Sequence, residues 1–462
     1  MKINLTKMKR FIYILIAIVA VTLSSVGQNP DAIREIIRKN PHYAISAATT
    51  YDNVEIGKIA AAPKGYKPFY FSMTSRHGSR YETRDTTFVS LTRTYNRIAE
   101  LGLLTEQGKQ VHQILLKAAA EQHGKDGELS ALGQRQLRGV GRRAYQNFKS
   151  IFDSGSVEGK ASTKMRCVFS MTAFVDGLKE GNSTIPVELE ARESYLPMLR
   201  AITADSEVTK EYYKLYRHIR NCGPWLTRRR EWASKLDMSS CVAKLVTKPE
   251  LLVEKCGAKS YFDFAYETLY LLLFSENFEM GGGAMIDKIF NLEELYAFYQ
   301  YHTITWTQWT GGFGNPFSEA LASFTRTLID DIVSKIDDAI EGKNPNVANI
   351  RFTHDSYIIP LLGIFGYEGC RLQYSEDWER TVTSAPFSKI IPMGSNLQIV
   401  LYRNKRGEVL VRSLLNEGDV FLPIECETAP FYPWEKMREL AYNNLSKLEQ
   451  SRKAIAQKYG IK

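Results

Sequence analysis

The sequence predicts an α/β fold in which helices flank a mostly parallel β-sheet and a mostly helical cap is inserted into the core. Short apolar runs of strand type alternate with segments of helical periodicity, as in parallel strands joined by crossover helices. The stretch 181–309 differs, because it is rich in helix formers and aromatic residues. Two histidine-containing motifs directly follow predicted strands, and sites of α/β folds lie at the carboxyl ends of parallel strands.

Residues 1–27 are predicted to form a secretory signal peptide. Four basic residues precede an apolar run of 13 residues, Phe11–Leu23, and small residues follow it. The run is shorter than the roughly 20 residues that a membrane-spanning helix needs, and an uncleaved anchor is the alternative. We therefore expect a periplasmic or secreted protein without a stable membrane anchor after cleavage.

The first part of the predicted core covers residues 28–180. Pro68–Thr74 is an aromatic and apolar run typical of a buried strand. An imperfect apolar stripe predicts a helix over Leu129–Tyr145, and Val157–Thr163 is a candidate second strand that leads into another helix.

The core is predicted to resume at residues 310–433, after the helical cap at 181–309. Asn315 followed by Pro316 is a typical helix start. Ala348–Thr353 has the character of a strand, and the segment from Leu397 to Leu415 has that of a hairpin. Residues 434–462 are expected to form a C-terminal helix that docks on the core.

The net charge is mildly positive and decides little about partners. The formal charge is +9 and falls to +5 without residues 1–27. A basic protein suits an anionic substrate, but many basic proteins have none. The basic residues are scattered and form no nucleic-acid-binding signature, so we expect a small anionic substrate and no nucleic acid.

Six cysteines in an exported chain permit up to three disulfides. Cys222, Cys241 and Cys256 lie close in sequence, so a local bridge among them is one expectation, although the pairing cannot be derived from sequence. No cysteine pair or histidine cluster has the spacing of a zinc site.

The segment Arg76-His77-Gly78-Ser79-Arg80, followed by Thr83, is the strongest chemical signal in the chain. Guanidinium groups bind phosphate oxygens through paired donors, and an imidazole nitrogen can attack phosphorus. Gly78 has no Cβ, so the backbone there can turn sharply next to an anion. The pattern therefore indicates phosphoryl transfer through His77.

The pair His354-Asp355 follows the predicted strand Ala348–Thr353. Such a dipeptide alone is weak evidence, because it is more often a surface turn or a helix cap. Beside the His77 motif it gains meaning, since a carboxyl near a bound phosphate can protonate the leaving oxygen.

These motifs resemble those of the histidine acid phosphatases, whose signature is RHGxRxxT together with a His-Asp pair. Segments starting at Arg166, at Glu128 and at Leu415 are similar to the multiple inositol polyphosphate phosphatase branch. The resemblance spans roughly residues 70 to 420 and is least specific in the cap.

The resemblance implies a role for each matching residue and no metal or other cofactor. His77 is the expected nucleophile and Asp355 the expected acid. The expected phosphate-binding residues are Arg76, Arg80, Arg166 and His354.

One departure concerns the substrate. The inositol polyphosphate branch typically has His-Ala-Glu where this chain has His354-Asp355-Ser356. Hydrolysis of inositol polyphosphates such as phytate is the first expectation, and broad-specificity acid phosphatase activity is the alternative. A mutase is a further alternative that export disfavours. A catalytically dead protein that binds a phosphate ligand is the alternative outside enzymology.

Two weaker candidates lie in the predicted cap. His302, among aromatic residues, is expected to be a packed histidine rather than a substrate ligand. The run Arg228–Arg230 matches no motif and is expected to form a solvated face, with use against a polyanion as the alternative.

Overall fold

The computed structural model describes residues 29–57, 59–200, 207–222, 224–309, 313–375 and 377–460, so the predicted signal peptide lies outside it. The strands are β1 Lys67–Arg76, β2 Ser156–Ala161, β3 Val187–Ala191, β4 Asn346–Thr353, β5 Asn396–Arg403, β6 Val409–Leu415, β7 Gly418–Val420 and β8 Phe431–Pro433. The α-helices are α1 Pro30–Lys39, α2 Thr86–Glu100, α3 Glu106–Gln122, α4 Ala131–Phe152, α5 Met165–Gly181, α6 Leu196–Leu199, α7 Glu207–Cys222, α8 Pro224–Ala233, α9 Ser239–Leu245, α10 Leu251–Cys256, α11 Tyr261–Ser275, α12 Ile286–Ile289, α13 Leu292–Trp309, α14 Pro316–Ala322, α15 Arg326–Ile340, α16 Asp355–Phe365, α17 Trp378–Val382, α18 Phe387–Ile390 and α19 Trp434–Tyr459. Within these ranges, no helix is long and apolar enough to cross a membrane.

The strands form one sheet in the order β3-β2-β4-β1-β5-β6-β7, with β8 paired to β6. The four strands β3, β2, β4 and β1 are parallel, whereas β5 to β8 are antiparallel to their neighbours. The α/β class is therefore confirmed, and the sheet is mixed rather than purely parallel. The predicted hairpin causes the difference, because a short turn can join only antiparallel strands and this hairpin extends the core sheet itself.

The predicted helix start at Asn315 is confirmed in its chemistry. The Asn315 side chain accepts hydrogen bonds from the backbone N–H groups of Phe317 and Ser318, and Pro316 is the first helical residue. A helix begins with unpaired N–H groups, and this cap satisfies two of them.

The division into core and cap remains a prediction, but two packing facts bear on its bounds. Strand β3 falls within the range 181–309 and pairs with β2 in the central sheet. Helices α2 and α3, which precede that range, bury apolar residues in the same cluster as α9 to α13. The helical layer over the site is thus built from several separate parts of the chain.

The C-terminal helix α19 packs against α14, α15 and α16. Trp434, Met437, Leu445 and Leu448 are buried in the cluster that also contains residues of α14, α15 and α16. The Trp434 indole N–H donates to Asp337, at 2.6 Å, so the first turn of the helix is also held by a polar contact.

The expected local disulfide is not formed by Cys241 and Cys256, which are both free thiols. Cys241 is buried and its thiol donates to the backbone oxygen of Met238. The side chain of Cys222 lies outside the described part of the structure.

Candidate active site

The two histidine motifs meet at the carboxyl ends of β1 and β4. Arg76, the last residue of β1, is in register with Thr353, the last residue of β4. The backbone N–H of His77 donates to the oxygen of Thr353, at 3.2 Å, and continues the ladder. The rings of His77 and His354 are consequently close, with centroids 5.5 Å apart and planes at 68°.

The Arg76 guanidinium is buried and held by three oxygen atoms. One terminal nitrogen donates to the backbone oxygens of Ala47, at 2.6 Å, and Ile391, at 2.9 Å. The other forms an ion pair of 2.7 Å with Asp355. Burial lowers the pKa of Arg76, and the negative charge of Asp355 opposes that effect. Asp355 is therefore fixed beside the strand end from which His77 emerges.

The geometry of His77 leaves one ring nitrogen available for chemistry. Its Nδ1 lies 2.9 Å from the backbone oxygen of Gly78. A carbonyl oxygen only accepts, so Nδ1 carries the hydrogen and Nε2 keeps a lone pair. Burial lowers the pKa of His77 well below its ordinary value, with further contributions from the positive charges of Arg166, Arg76 and Arg80. The His77 ring is therefore neutral and has a lone pair on Nε2, the form that an attacking imidazole needs.

Gly78 is required by close contact with helix α4. A Cβ at Gly78 would lie 2.6 Å from the backbone oxygen of Gly133 and 2.7 Å from Leu137. The Gly78 N–H donates to the Ser170 hydroxyl, at 3.0 Å, and so links the loop to α5. Because residue 78 is a glycine, the turn can pack closely against α4 and also form a hydrogen bond with α5.

Arginines 76, 80 and 166 form a cationic cluster around His77. Arg166 is the second residue of α5, and its pKa is lowered to about 10 by burial and then by Arg80. In the described part of the chain, each of these three arginines keeps a buried Nε–H without an acceptor. Such donors cost free energy until an acceptor arrives, so the cluster suits an anion that brings several oxygen atoms.

His354 and Asp355 stand at the start of α16. Asp355 accepts a hydrogen bond from the backbone N–H of Ser356, at 2.8 Å. Burial lowers the pKa of His354 well below its ordinary value, followed by the charges of Arg166 and Arg200. All six predicted site residues are therefore brought to one edge of the sheet.

Glu82 and Tyr270 at the site were missed by the sequence analysis. Glu82 lies between Arg80 and Thr83, in the RHG segment Arg76–Thr83, and its carboxylate is 3.9 Å from Arg80. It accepts a 2.8 Å hydrogen bond from the hydroxyl of Tyr270 in α11. The Glu82–Tyr270 contact joins helix α11 to the loop that follows β1. A tyrosine among many in an aromatic-rich helix carries no local signal of this position.

Arg200 and Lys164 were also missed. Lys164 is the residue before the first turn of α5. Arg200 follows α6, which is held by a hydrogen bond from Thr353 to Leu199. The charge of Arg200 lowers the pKa of Lys164 first, ahead of burial and Arg166, so these cations crowd together. Lys164 is separated by one residue from Arg166, and that spacing was the available sequence signal.

The two weak cap candidates have different outcomes. His302 is a packed histidine as expected, since it accepts from the Trp306 indole and contacts the Tyr266 hydroxyl, both at 2.7 Å. Arg229 contradicts the solvated face expected for its run. It is buried with its guanidinium 4.5 Å from the ring centre of Tyr301, because the aromatic helix α13 offers it a π-face. Arg228 and Arg230 are exposed.

An arginine-flanked histidine and a His-Asp pair on adjacent strand ends define the site of a histidine phosphatase. Residues 71–416 match the histidine phosphatase superfamily (branch 2), so the chain belongs to this superfamily and is a phosphatase. No functionally curated protein matches the chain at a significant level.

Among solved structures, the fold is similar to that of three phosphatases. The multiple inositol polyphosphate phosphatase of Bifidobacterium longum, in complex with inositol hexasulfate, has 19% identity and a TM-score of 0.68, over 82% of this chain and 92% of that chain. The phytase from D. castellii has 14% identity and a TM-score of 0.59, over 87% and 85%. The Klebsiella sp ASR1 phytase has 15% identity and a TM-score of 0.50, over 83% and 97%. At these identities the likeness establishes the fold.

Proposed function

We propose that this chain is an exported phosphomonoesterase that hydrolyses inositol polyphosphates through a phosphohistidine intermediate. The observation that carries the reaction type is the free Nε2 of a neutral His77 within a cluster of buried arginine donors. The predicted signal peptide at residues 1–27 supports export. The similarity to inositol polyphosphate phosphatase and phytase structures supports the substrate class.

The proposed reaction has two steps. His77 Nε2 attacks phosphorus while Arg76, Arg80, Arg166 and His354 hold the phosphoryl oxygens, and protonated Asp355 gives its proton to the departing alkoxide. Water then attacks the phosphohistidine and Asp355 takes a proton from it. A bound phosphate competes with Asp355 for Arg76, which frees the carboxyl for these proton transfers.

The cationic rim formed by Lys164 and Arg200 supports a substrate with several phosphates. Only one phosphate can occupy the arginine cluster, so the others must meet positive charge at its edge. Lys164 is exposed. The positive charges of Arg200 and Arg166 both lower its pKa, so it lies near both arginines. A simple monophosphate has no group to place there.

The substrate class predicts a difference in salt dependence. We expect kcat/KM for inositol hexakisphosphate to exceed that for a monophosphate at low salt and to fall more steeply as salt is added. Contacts of exposed charges are screened over about 10 Å at 0.1 M salt, whereas the buried cluster is screened less. Lys164→Met should lower the hexakisphosphate value by about three- to tenfold, as expected for a surface charge contact, and the monophosphate value by less than about twofold.

Lys179→Met is the matched control for this prediction. Lys179 lies exposed in the last turn of the same helix, roughly 22 Å along its axis from Lys164. It should change neither substrate's kcat/KM. Equal salt slopes with a preference for the monophosphate would instead support the broad-specificity acid phosphatase, the alternative favoured by Asp355 in place of glutamate.

The lowered pKa of His77 predicts activity that persists at acidic pH. Protonation of Nε2 removes the lone pair, so a pKa below about 6.5, the ordinary histidine value, moves the loss of activity to lower pH. The measurement is kcat/KM against pH for two phosphomonoesters that differ in their own second ionisation. If kcat/KM falls at the same acidic pH for both substrates, the group that titrates belongs to the enzyme. A fall centred at or above pH 6.5 would contradict a depressed pKa of His77.

A further inference from the structure

Ser162 stands at the carboxyl end of β2, next to His354. Its backbone N–H donates to the oxygen of Phe352 in β4, at 3.1 Å, one step beyond the last residue of its own strand. Its hydroxyl lies 3.2 Å from His354 Nε2, and its side chain is fully buried. The parallel register that brings the two histidines together therefore also places Ser162 against Nε2 of the His354 ring.

Two side chains lie near His354 Nε2, and comparing them indicates which one donates a hydrogen bond to it. Cys167 is the other neighbour, with its sulfur 3.7 Å from Nε2, but its thiol donates to the backbone oxygen of Thr353, at 3.3 Å. The Ser162 hydroxyl reaches the imidazole nitrogen and the Cys167 sulfur. An imidazole lone pair is the better acceptor, because sulfur accepts hydrogen bonds weakly. We infer that Ser162 donates to Nε2.

A neutral ring that accepts at Nε2 carries its hydrogen on Nδ1. His354 Nδ1 makes no hydrogen bond to the described part of the chain and is not fully buried, so it is available to a ligand. In the opposite tautomer, an Nδ1 lone pair would face the negatively charged phosphoryl oxygens. Loss of one fixed N–H donor at a position where negative charge accumulates lowers kcat by about 10²- to 10³-fold in sites of this kind.

We propose that Ser162 is a positioning residue that holds His354 in its Nδ1–H tautomer and so aims a neutral donor at the transferred phosphoryl group. The proposal rests on the function proposed above, since it assigns Ser162 a part in phosphoryl transfer. Ser162 itself does not contact the substrate. Its contribution is made through the His354 ring.

The first test is the tautomer itself, read from one- and two-bond ¹H–¹⁵N correlations of the full chain labelled at histidine. His354→Gln assigns the signal by its loss. Wild type should carry the hydrogen on Nδ1, whereas Ser162→Ala should shift the signal toward the Nε2–H form. A wild-type ring with its hydrogen on Nε2 would overturn the proposal, and this result does not depend on a folded Ser162→Ala variant.

The second test is activity on a phosphomonoester. Ser162→Ala should lower kcat by about ten- to hundredfold with little change in KM, and Ser162→Thr, which keeps the hydroxyl, should recover most of the loss. Ser156→Ala, at the other end of β2, is the control and should behave as wild type. Unchanged kcat and tautomer in Ser162→Ala would refute the role of Ser162. A wild type without a phosphohistidine would instead refute the proposed function, and the tautomer measurement would still decide the role of Ser162.

Discussion

Replacing His77 by alanine should abolish turnover and the covalent intermediate together. The proposed nucleophile has no substitute among the described residues nearby, because His354 Nε2 is engaged with Ser162 and its ring lies 5.5 Å from that of His77. Loss of a catalytic nucleophile lowers kcat by on the order of 10⁴-fold or more. With ³²P-labelled substrate and an alkaline quench, which preserves phosphohistidine, wild type should retain label on the protein and His77→Ala none.

His112→Asn is the control for this variant. His112 is also buried, but it lies on α3 with its ring nitrogen 2.6 Å from Asn96, and it takes no part in the site. It should keep both the label and the turnover of wild type. Near-normal turnover by His77→Ala would eliminate the phosphohistidine mechanism and, with it, the central assignment made from the RHG segment.

The motif residues could be predicted to lie together because two local signals combine with one rule of α/β folds. Each motif follows a strand-like run, and parallel strands present their carboxyl ends at one edge. The register of Arg76 with Thr353 is the physical form of that rule. The sequence therefore predicted six neighbouring residues, although three of them, Arg166, His354 and Asp355, are separated from the segment Arg76–Arg80 by about 80 residues or more.

The contacts that hold those residues could not be predicted, because they come from distant segments without patterns of their own. The guanidinium of Arg76 is held by backbone oxygens of Ala47 and Ile391, and any residue type supplies such an oxygen. Tyr270 reaches Glu82 from helix α11, whose aromatic residues are mostly used for packing. Sequence patterns report periodicity and local chemistry, whereas these contacts depend on how the layers are packed.

The segment Leu415-Asn416-Glu417 illustrates the same limit. The sequence analysis treated it only as a point of resemblance, and the structure gives it a structural role. Asn416 and Glu417 both have positive φ, at 49° and 68°, and buried Glu417 accepts hydrogen bonds from Arg143 and from Tyr51. The strained turn is thus maintained by an ion pair between the half-buried Arg143 and the buried Glu417, which joins the hairpin end to helix α4.

The second large effect concerns Asp355, whose environment suits a carboxyl that moves protons. It forms an ion pair with the buried Arg76 guanidinium and is the first residue of α16. A bound phosphate dianion would compete with Asp355 for that guanidinium. In the proposed reaction, the same carboxyl acts as an acid while the ester is bound and as a base after the alcohol has left.

Asp355→Asn should consequently discriminate between substrates by the quality of their leaving groups. The amide keeps an oxygen for Arg76 but has no proton to give, so release of an alkoxide should slow by about 10²- to 10⁴-fold. An activated aryl phosphate leaves without protonation, so its burst of aryl alcohol should change by less than about tenfold, while its steady-state rate falls because water attack lacks a base. The measurement is the pre-steady-state burst and the following steady state for one alkyl and one nitrophenyl phosphate. Asp377→Asn, at the exposed cap of α17, should leave both phases unchanged. An equal loss in the first step for both substrates would exclude Asp355 as the acid, because a proton donor matters only where the departing oxygen needs the proton.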